Sequence, residues 1–209
     1  MFVTSYFCLP GGWKNVLGGI ADDPRKSNPG IIQHVDDTVV VISDAFPKAR
    51  THLLIIAKDR SVDCVNDLTK AHIPLLQKML SVATDLIAKL RQSSPIYPYL
   101  VGFHALPSIH RLHCHILSSD LDSDKMKKKK HWNSFTTPFF IPLTKVIATL
   151  EENKVMNISQ VTANECLEVD LRCHHCCTEM RNMPLLKEHI MVCTSKEWAK
   201  SVQNAFLCC

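Results

Sequence analysis

Apolar positions change their period along the chain, and each change marks an element. Thr38-Val39-Val40-Val41-Ile42 is a continuous β-branched run, the pattern of a buried strand. Ser43-Asp44-Ala45-Phe46-Pro47-Lys48-Ala49 turns the chain, and His52-Leu53-Leu54-Ile55-Ile56 predicts a second strand antiparallel to the first. Over residues 71–91, Leu75, Leu76, Met79, Val82, Ala83, Leu86, Ile87 and Leu90 recur at steps of three and four. That spacing predicts an amphipathic helix with Pro74 in its first turn or bending it. Residues 99–106 and 111–118 predict two further strands, broken by Pro107-Ser108. A short helix over 13–20, weakened by its glycines, and another over 143–151 complete the pattern, while 153–170 reads as a hinge with a short strand. Together these elements predict an α+β fold with an antiparallel meander.

Within the last of these strands, polar residues interrupt the apolar run in a regular way. Successive strand side chains alternate between faces, so His113 and His115 share one face and Leu112, Cys114 and Ile116 the other. A pair of imidazoles on one face can bind metal, perform chemistry on a phosphate, or be structural, as most strand histidines are. His104 and Ser108 nearby, and a basic run downstream, shift the balance toward chemistry.

Length allows one ordinary domain and a small appendage, since the chain has 209 residues. No 18-residue apolar span is present, so no membrane-crossing helix is expected. The start, Met1 to Pro10, is apolar but lacks the basic residues and long apolar stretch of a secretory signal. The formal charge of +4 is too small to imply a nucleic-acid partner by itself. Its distribution says more: Asp120, Asp122 and Asp124 precede Lys125, Lys127, Lys128, Lys129 and Lys130, followed by His131 and Trp132. Such a run is usually a solvated loop, yet lysines beside an aromatic equally suit phosphate contact without base specificity.

Of ten cysteines, Cys173, Cys176, Cys177 and Cys193 cluster, which favours a local metal site in a reduced, intracellular protein. Cys173-x2-Cys176-x12-His189-x3-Cys193 has the spacing of a small zinc finger, with Pro184 opening its helix and Leu185, Leu186 and Ile190 as its core. His174, His175 and Cys177 are adjacent alternative ligands. Four protein ligands would make the zinc structural. The terminal Cys208-Cys209 pair is like the lipidated ends of some small GTPases, but nothing else in the chain is, and we do not expect prenylation.

Gly102-Phe103-His104-Ala105-Leu106-Pro107-Ser108, Leu112-His113-Cys114-His115, Lys129-Lys130-His131-Trp132-Asn133-Ser134-Phe135, Phe46-Pro47-Lys48-Ala49-Arg50 followed by His52, and the finger beginning Leu171-Arg172-Cys173 together resemble the aprataxin family. These are histidine-triad (HIT) proteins with a C-terminal zinc finger. The resemblance implies a HIT-type antiparallel sheet with flanking helices, and a nuclear DNA-repair hydrolase that removes AMP from adenylated DNA 5′ ends through an adenylyl-histidine intermediate.

On that resemblance His113 is the nucleophile, His115 and Ser108 donate to the phosphate, and His104 assists the leaving DNA phosphate. Asp44 holds the ribose, and Lys130, Lys48 and His52 belong to the nucleotide and phosphate site. Trp13 and its helix form a wedge that stacks on the DNA end, with Lys128, Lys129 and Trp132 on the DNA. Cys173, Cys176, His189 and Cys193 hold a structural zinc. The implied organisation is an N-terminal wedge segment (1–30), a HIT domain (31–152), and a zinc-finger domain with a tail (153–209). The implied partners are DNA ends carrying 5′-linked AMP, with AMP as product, no membrane, and a monomeric state.

One departure stands out. The full triad places a histidine two residues before the nucleophile, where this chain has Arg111; His110 is one step out of phase. A general HIT hydrolase of small adenylated compounds and a non-catalytic DNA-end-binding module are the two competing readings.

Overall fold

The computed structural model describes residues 12–93 and 97–201. Residues 1–10, read above for a leader, and Cys208-Cys209 lie outside the described residues.

Six strands form one antiparallel sheet in the order β1-β2-β3-β5-β4-β6. They are β1 (Ile32–Val35), β2 (Val39–Ser43), β3 (His52–Ala57), β4 (Tyr99–His104), β5 (His113–Ser118) and β6 (Phe140–Pro142). The helices are α1 (Val16–Asp22), α2 (Ile73–Ser93), α3 (Lys129–Thr136), α4 (Leu143–Glu151), α5 (Gln160–Glu168) and α6 (Met183–Ser201). The edge strands β1 and β6 have no counterpart in the sequence pattern, being short and half-buried.

Alternation along the central strands builds two cores. Val39, Val41, Leu53, Ile55, Cys114 and Ile116 face a layer that includes Leu76, Met79, Val82 and Ala83 of α2 and Val146, Ile147 and Leu150 of α4. Val40, Ile42, Leu54 and Ile56 face the opposite side and cover α1 through Val16, Leu17, Ile20 and Ala21. Ile55, Ile56, Leu76 and Met79 are fully out of water. Each contributes roughly 1.5–3 kcal/mol to folding by that burial.

A third cluster joins the finger to the sheet. Leu117, Leu121, Met126, Trp132 and Phe135 pack with Leu171, Cys173, Met183, Leu186 and Ile190. Two expectations are corrected here. Residues 153–170 hold the helix α5 in place of a strand; Asn133 Nδ2 donates to the carbonyls of Leu167 (3.0 Å) and Val169 (2.8 Å), satisfying groups that a helix end leaves unpaired. Leu185 is 46% exposed, and Leu171 and Met183 take its expected place in the finger core.

Candidate active site

Strand parity decides which side chains meet. On β5, Cys114 and Ile116 enter the main core, which sends His113 and His115 to the other face. The register pairs Leu54 with His115 and Ile56 with His113, so His52 at the head of β3 falls on the same face. On β4, Phe103 is in the core and His104 emerges on the histidine face. Gly102 lies opposite His115, and a Cβ there would stand 2.3 Å from the Ile141 carbonyl oxygen; only glycine lets β6 approach closely enough to place His104 and Phe140.

The result is a cluster of imidazoles. Ring centroids of His104 and His115 are 4.3 Å apart, those of His113 and His115 5.2 Å, and those of His52 and His115 5.2 Å. Phe135 packs against His52, His104 and His115, and Phe139 and Phe140 against His104, giving the cluster an apolar wall.

Hydrogen bonds then fix the protons. The Lys48 backbone N–H donates to His52 Nδ1 at 3.1 Å, so His52 carries its proton on Nε2. That Nε2–H donates to His115 Nδ1 at 2.9 Å, which leaves the His115 proton on its Nε2. His113 Nδ1–H donates to the Arg111 carbonyl at 2.9 Å, leaving a lone pair on His113 Nε2. The relay therefore ends in the His115 N–H donor, and the separate bond to the Arg111 carbonyl leaves the His113 nitrogen with a free lone pair. The Nε2 atoms of His104 and His115 are buried with no hydrogen-bond partner among the described residues. Orphaned buried polar atoms of this kind mark a place for a ligand's acceptors.

Electrostatics keeps all four rings neutral. Burial pushes His52 down to about 4, against the opposing pull of Asp44 and with the help of the Lys48 charge. Burial likewise depresses His113, although the Arg111 carbonyl and Asp44 oppose it. His104 and His115 are driven well below the ordinary histidine value by burial and then by their charged-state neighbours. A neutral imidazole is the form that can act as a nucleophile.

The other expected site residues divide. Asp44 closes β2 as a turn residue, its Oδ1 accepting the Phe46 N–H at 2.6 Å, while its Oδ2 stands 3.6 Å from His52 Nδ1. It joins the cluster in both senses. Lys48 is half-buried, with its ammonium on the Phe46 carbonyl, and is the cation that bears on His52, His104 and His115. Ser108 is exposed in the β4–β5 connection and makes no hydrogen bond among the described residues.

Lys130 turns away from the cluster to ion-pair with Glu168 at 2.8 Å, and Lys129 pairs with Asp170 at 3.5 Å. Lys128, exposed, lies beside His131. Trp132 is corrected outright: it is 0% exposed and donates Nε1–H to the Arg172 carbonyl at 2.9 Å, so it joins α3 to the finger and cannot stack on a base. Trp13, by contrast, is 42% exposed, with its ring 5.9 Å from that of Phe46.

His110 is exposed in the connection before β5, where the left-handed Arg111 breaks the strand alternation, so strand phase does not set its direction. Phe135, Gly102 and the Arg111 carbonyl are site elements that the sequence did not single out. Phe135 alone left a signal, three residues after Trp132 on the inward side of α3.

In the finger, one donor atom from each of Cys173, Cys176, His189 and Cys193 lies within 4.8 Å of the others. The Cys173 and Cys193 sulfurs are 3.9 Å apart, and Cys176 Sγ is 3.2 Å from His189 Nε2. Tetrahedral zinc with bonds of about 2.3 Å to sulfur and 2.0–2.1 Å to nitrogen has ligand separations of roughly 3.5–3.8 Å, so the donor set fits that ion. His174 is turned away from these donors into the junction with the sheet, its Nε2 2.8 Å from the Ser119 carbonyl oxygen and its ring 5.1 Å from that of Trp132, and Cys177 is exposed.

Comparison with known proteins places this geometry. Residues 15–131 match the family model described as scavenger mRNA decapping enzyme C-term binding, and residues 136–196 the C2HE / C2H2 / C2HC zinc-binding finger. The aprataxin-like protein of Schizosaccharomyces pombe is 30% identical over 75% of this chain and 72% of its own. The chain belongs to the aprataxin family. The aprataxins of Ciona intestinalis and Gallus gallus are each 35% identical, over 87% and 91% of this chain, and the chain spans about half of their length, 46% and 56%. The crystal structure of the aprataxin ortholog Hnt3 in complex with DNA superposes with a TM-score of 0.74 at 27% identity, covering 91% of this chain and 98% of that one. The six-stranded antiparallel sheet of this aprataxin-family chain is thus a HIT-type sheet, carried with a C-terminal zinc-finger domain.

Proposed function

We propose that this chain is a DNA-repair hydrolase that removes AMP from adenylated DNA 5′ ends. His113 Nε2 attacks the phosphorus of the AMP moiety and the bond from that phosphorus to the bridging oxygen breaks, releasing the DNA 5′-phosphate. Water then attacks the adenylyl-His113 phosphorus and frees AMP and the neutral imidazole. His115 Nε2–H donates to a non-bridging oxygen, where charge collects as the phosphoryl group transfers. His104 supports the departing phosphate oxygen, Asp44 the ribose hydroxyls, and Lys48 adds positive charge to the phosphate site.

Trp13 and α1 form the wedge against the terminal base pair, with Lys128 and Lys129 along the phosphates. Ser108 and Lys130 would need substrate-induced movement to take part. Zinc on Cys173, Cys176, His189 and Cys193 is structural and keeps the finger folded. The protein acts as a nuclear monomer.

One observation carries this reading: the relay from the Lys48 N–H through His52 to His115, which sets an N–H donor beside the free nitrogen of His113. Family membership and the Hnt3–DNA likeness support the substrate class. Turnover of an adenylated nicked duplex, compared with a small AMP ester at two salt concentrations, tests it. A preference for the duplex that weakens as salt rises is expected, because phosphate contacts release counterions. Equal turnover of both at either salt would favour a hydrolase of small adenylated compounds.

A further inference from the structure

Arg111 occupies the place of the first triad histidine and does several things at once. Its backbone has φ of 75°, a left-handed conformation unusual for a side chain of this size. Its N–H donates to Asp63 Oδ1 at 2.7 Å, and its carbonyl takes the His113 Nδ1–H. Its guanidinium is nearly buried, with Nη1 3.2 Å from both Asp22 Oδ1 and the Lys58 carbonyl, and Nη2 3.3 Å from where a Cβ on Gly18 would lie.

Asp22 is the last residue of α1, so the guanidinium reaches from the connection that leads into the nucleophile's strand to the helix that follows Trp13. The His110 N–H makes a second tie, donating to the Lys14 carbonyl at 2.7 Å, next to Trp13. Between the two ties a cleft of about 310 Å³, lined by Asn15, Gly18, Gly19, Asp63 and His110, separates α1 from the entry to β5. No described side chain fills it, so polar ties hold the wedge here.

We infer that Arg111 is a positioning residue that couples the wedge helix to the nucleophile, its guanidinium on Asp22 holding the left-handed backbone whose carbonyl aligns His113. The inference rests on His113 being the nucleophile. It has a consequence that a merely structural ion pair lacks: a residue of the wedge helix governs turnover of a substrate too small to reach the wedge.

The test uses the full zinc-loaded chain with Asp22→Asn and Arg111→Gly, the glycine keeping the left-handed backbone while removing the side chain. Arg60→Ala is the control, because Arg60 also pairs with Asp22, at 3.2 Å, without touching Arg111. The readouts are the ring-nitrogen NMR shifts of His113, which report its tautomer, and kcat and KM on a small AMP ester. We expect the first two variants to show mixed tautomers and a kcat lower by roughly 10- to 100-fold, with KM within about twofold. Arg60→Ala should match the parent in both. An unchanged tautomer and kcat in Arg111→Gly, or the same losses in Arg60→Ala, would overturn the inference. A parent chain inactive on both the ester and adenylated DNA would sink the hydrolase reading instead, while the tautomer comparison still decides this one.

Discussion

The imidazole cluster and the finger are both collections of nitrogen or sulfur donors held by a few elements, yet they are built for opposite ends. In the finger, one donor atom from each of four residues lies within 4.8 Å of the others, an arrangement in which a shared cation would answer their mutual repulsion and desolvation. In the cluster, His52 is spent on orienting His115, His113 is oriented by a backbone carbonyl, and the Nε2 atoms of His104 and His115 are left without partners among the described residues. A structural site satisfies its donors internally; a site for chemistry leaves them to a substrate. The two regions nevertheless share one apolar cluster, in which Trp132 and Leu117 meet Met183 and Leu186.

That shared core makes the strongest prediction about the finger. Cys173→Ala should lower the melting temperature of the whole chain on the order of 10 °C, since a structural zinc site supplies several kcal/mol of folding energy. DNA affinity should fall with it, while kcat on a small AMP ester at low temperature is largely kept. A melting curve in which only a minor transition moves would show that the two regions are energetically separate.

The cluster should respond to acid. His52, His104, His113 and His115 all have folded-state values below the ordinary 6.5. The unfolded chain therefore binds more protons as pH falls below about 6.5, and stability is present above that value and lost beneath it. Each such ring contributes at most about 1.4 kcal/mol of loss per pH unit, down to its own folded value, which for His52 is about 4. Denaturant melts at pH 7 and pH 5 check this, and the slope should flatten in His52→Phe.

Smallest is the contrast between two lysines. Lys48→Ala should raise KM for a small AMP ester by about tenfold, the loss of a charge that bears on the cluster. Lys130→Ala should change KM by less than about twofold, because its exposed partner is Glu168. Equal effects would mean that α3 rearranges on binding.

Much of this is legible in the order of the residues alone. The alternation at 112–116 assigns the faces of β5, and the spacing at 173–193 marks the finger, because both depend only on local periods; the choice of Cys173, Cys176, His189 and Cys193 over His174, His175 and Cys177 comes from the folded geometry. What escapes such a reading depends on distant contacts. α5 is capped by Asn133, which lies in α3, well removed in sequence, so no local pattern over 153–170 announces a helix there. Trp132 reads as part of the basic DNA face because lysines precede it, but the helical period of α3 turns it inward with Phe135, where the finger core receives it. Arg111 is legible only as a missing histidine; its ties to Asp22 and Asp63 join segments 89 and 48 residues apart.

The central claim is that His113 carries the adenylyl group. Acid quenching would destroy a phosphoramidate, so the reaction with adenylated duplex should be stopped by alkaline denaturation within its first turnover and the chain digested and weighed. One AMP on the peptide containing His113, present in the parent and absent in His113→Ala, which should also lose turnover by a factor on the order of 10⁴ or more, is the predicted result. Full turnover by His113→Ala, or AMP on another residue, would contradict the account.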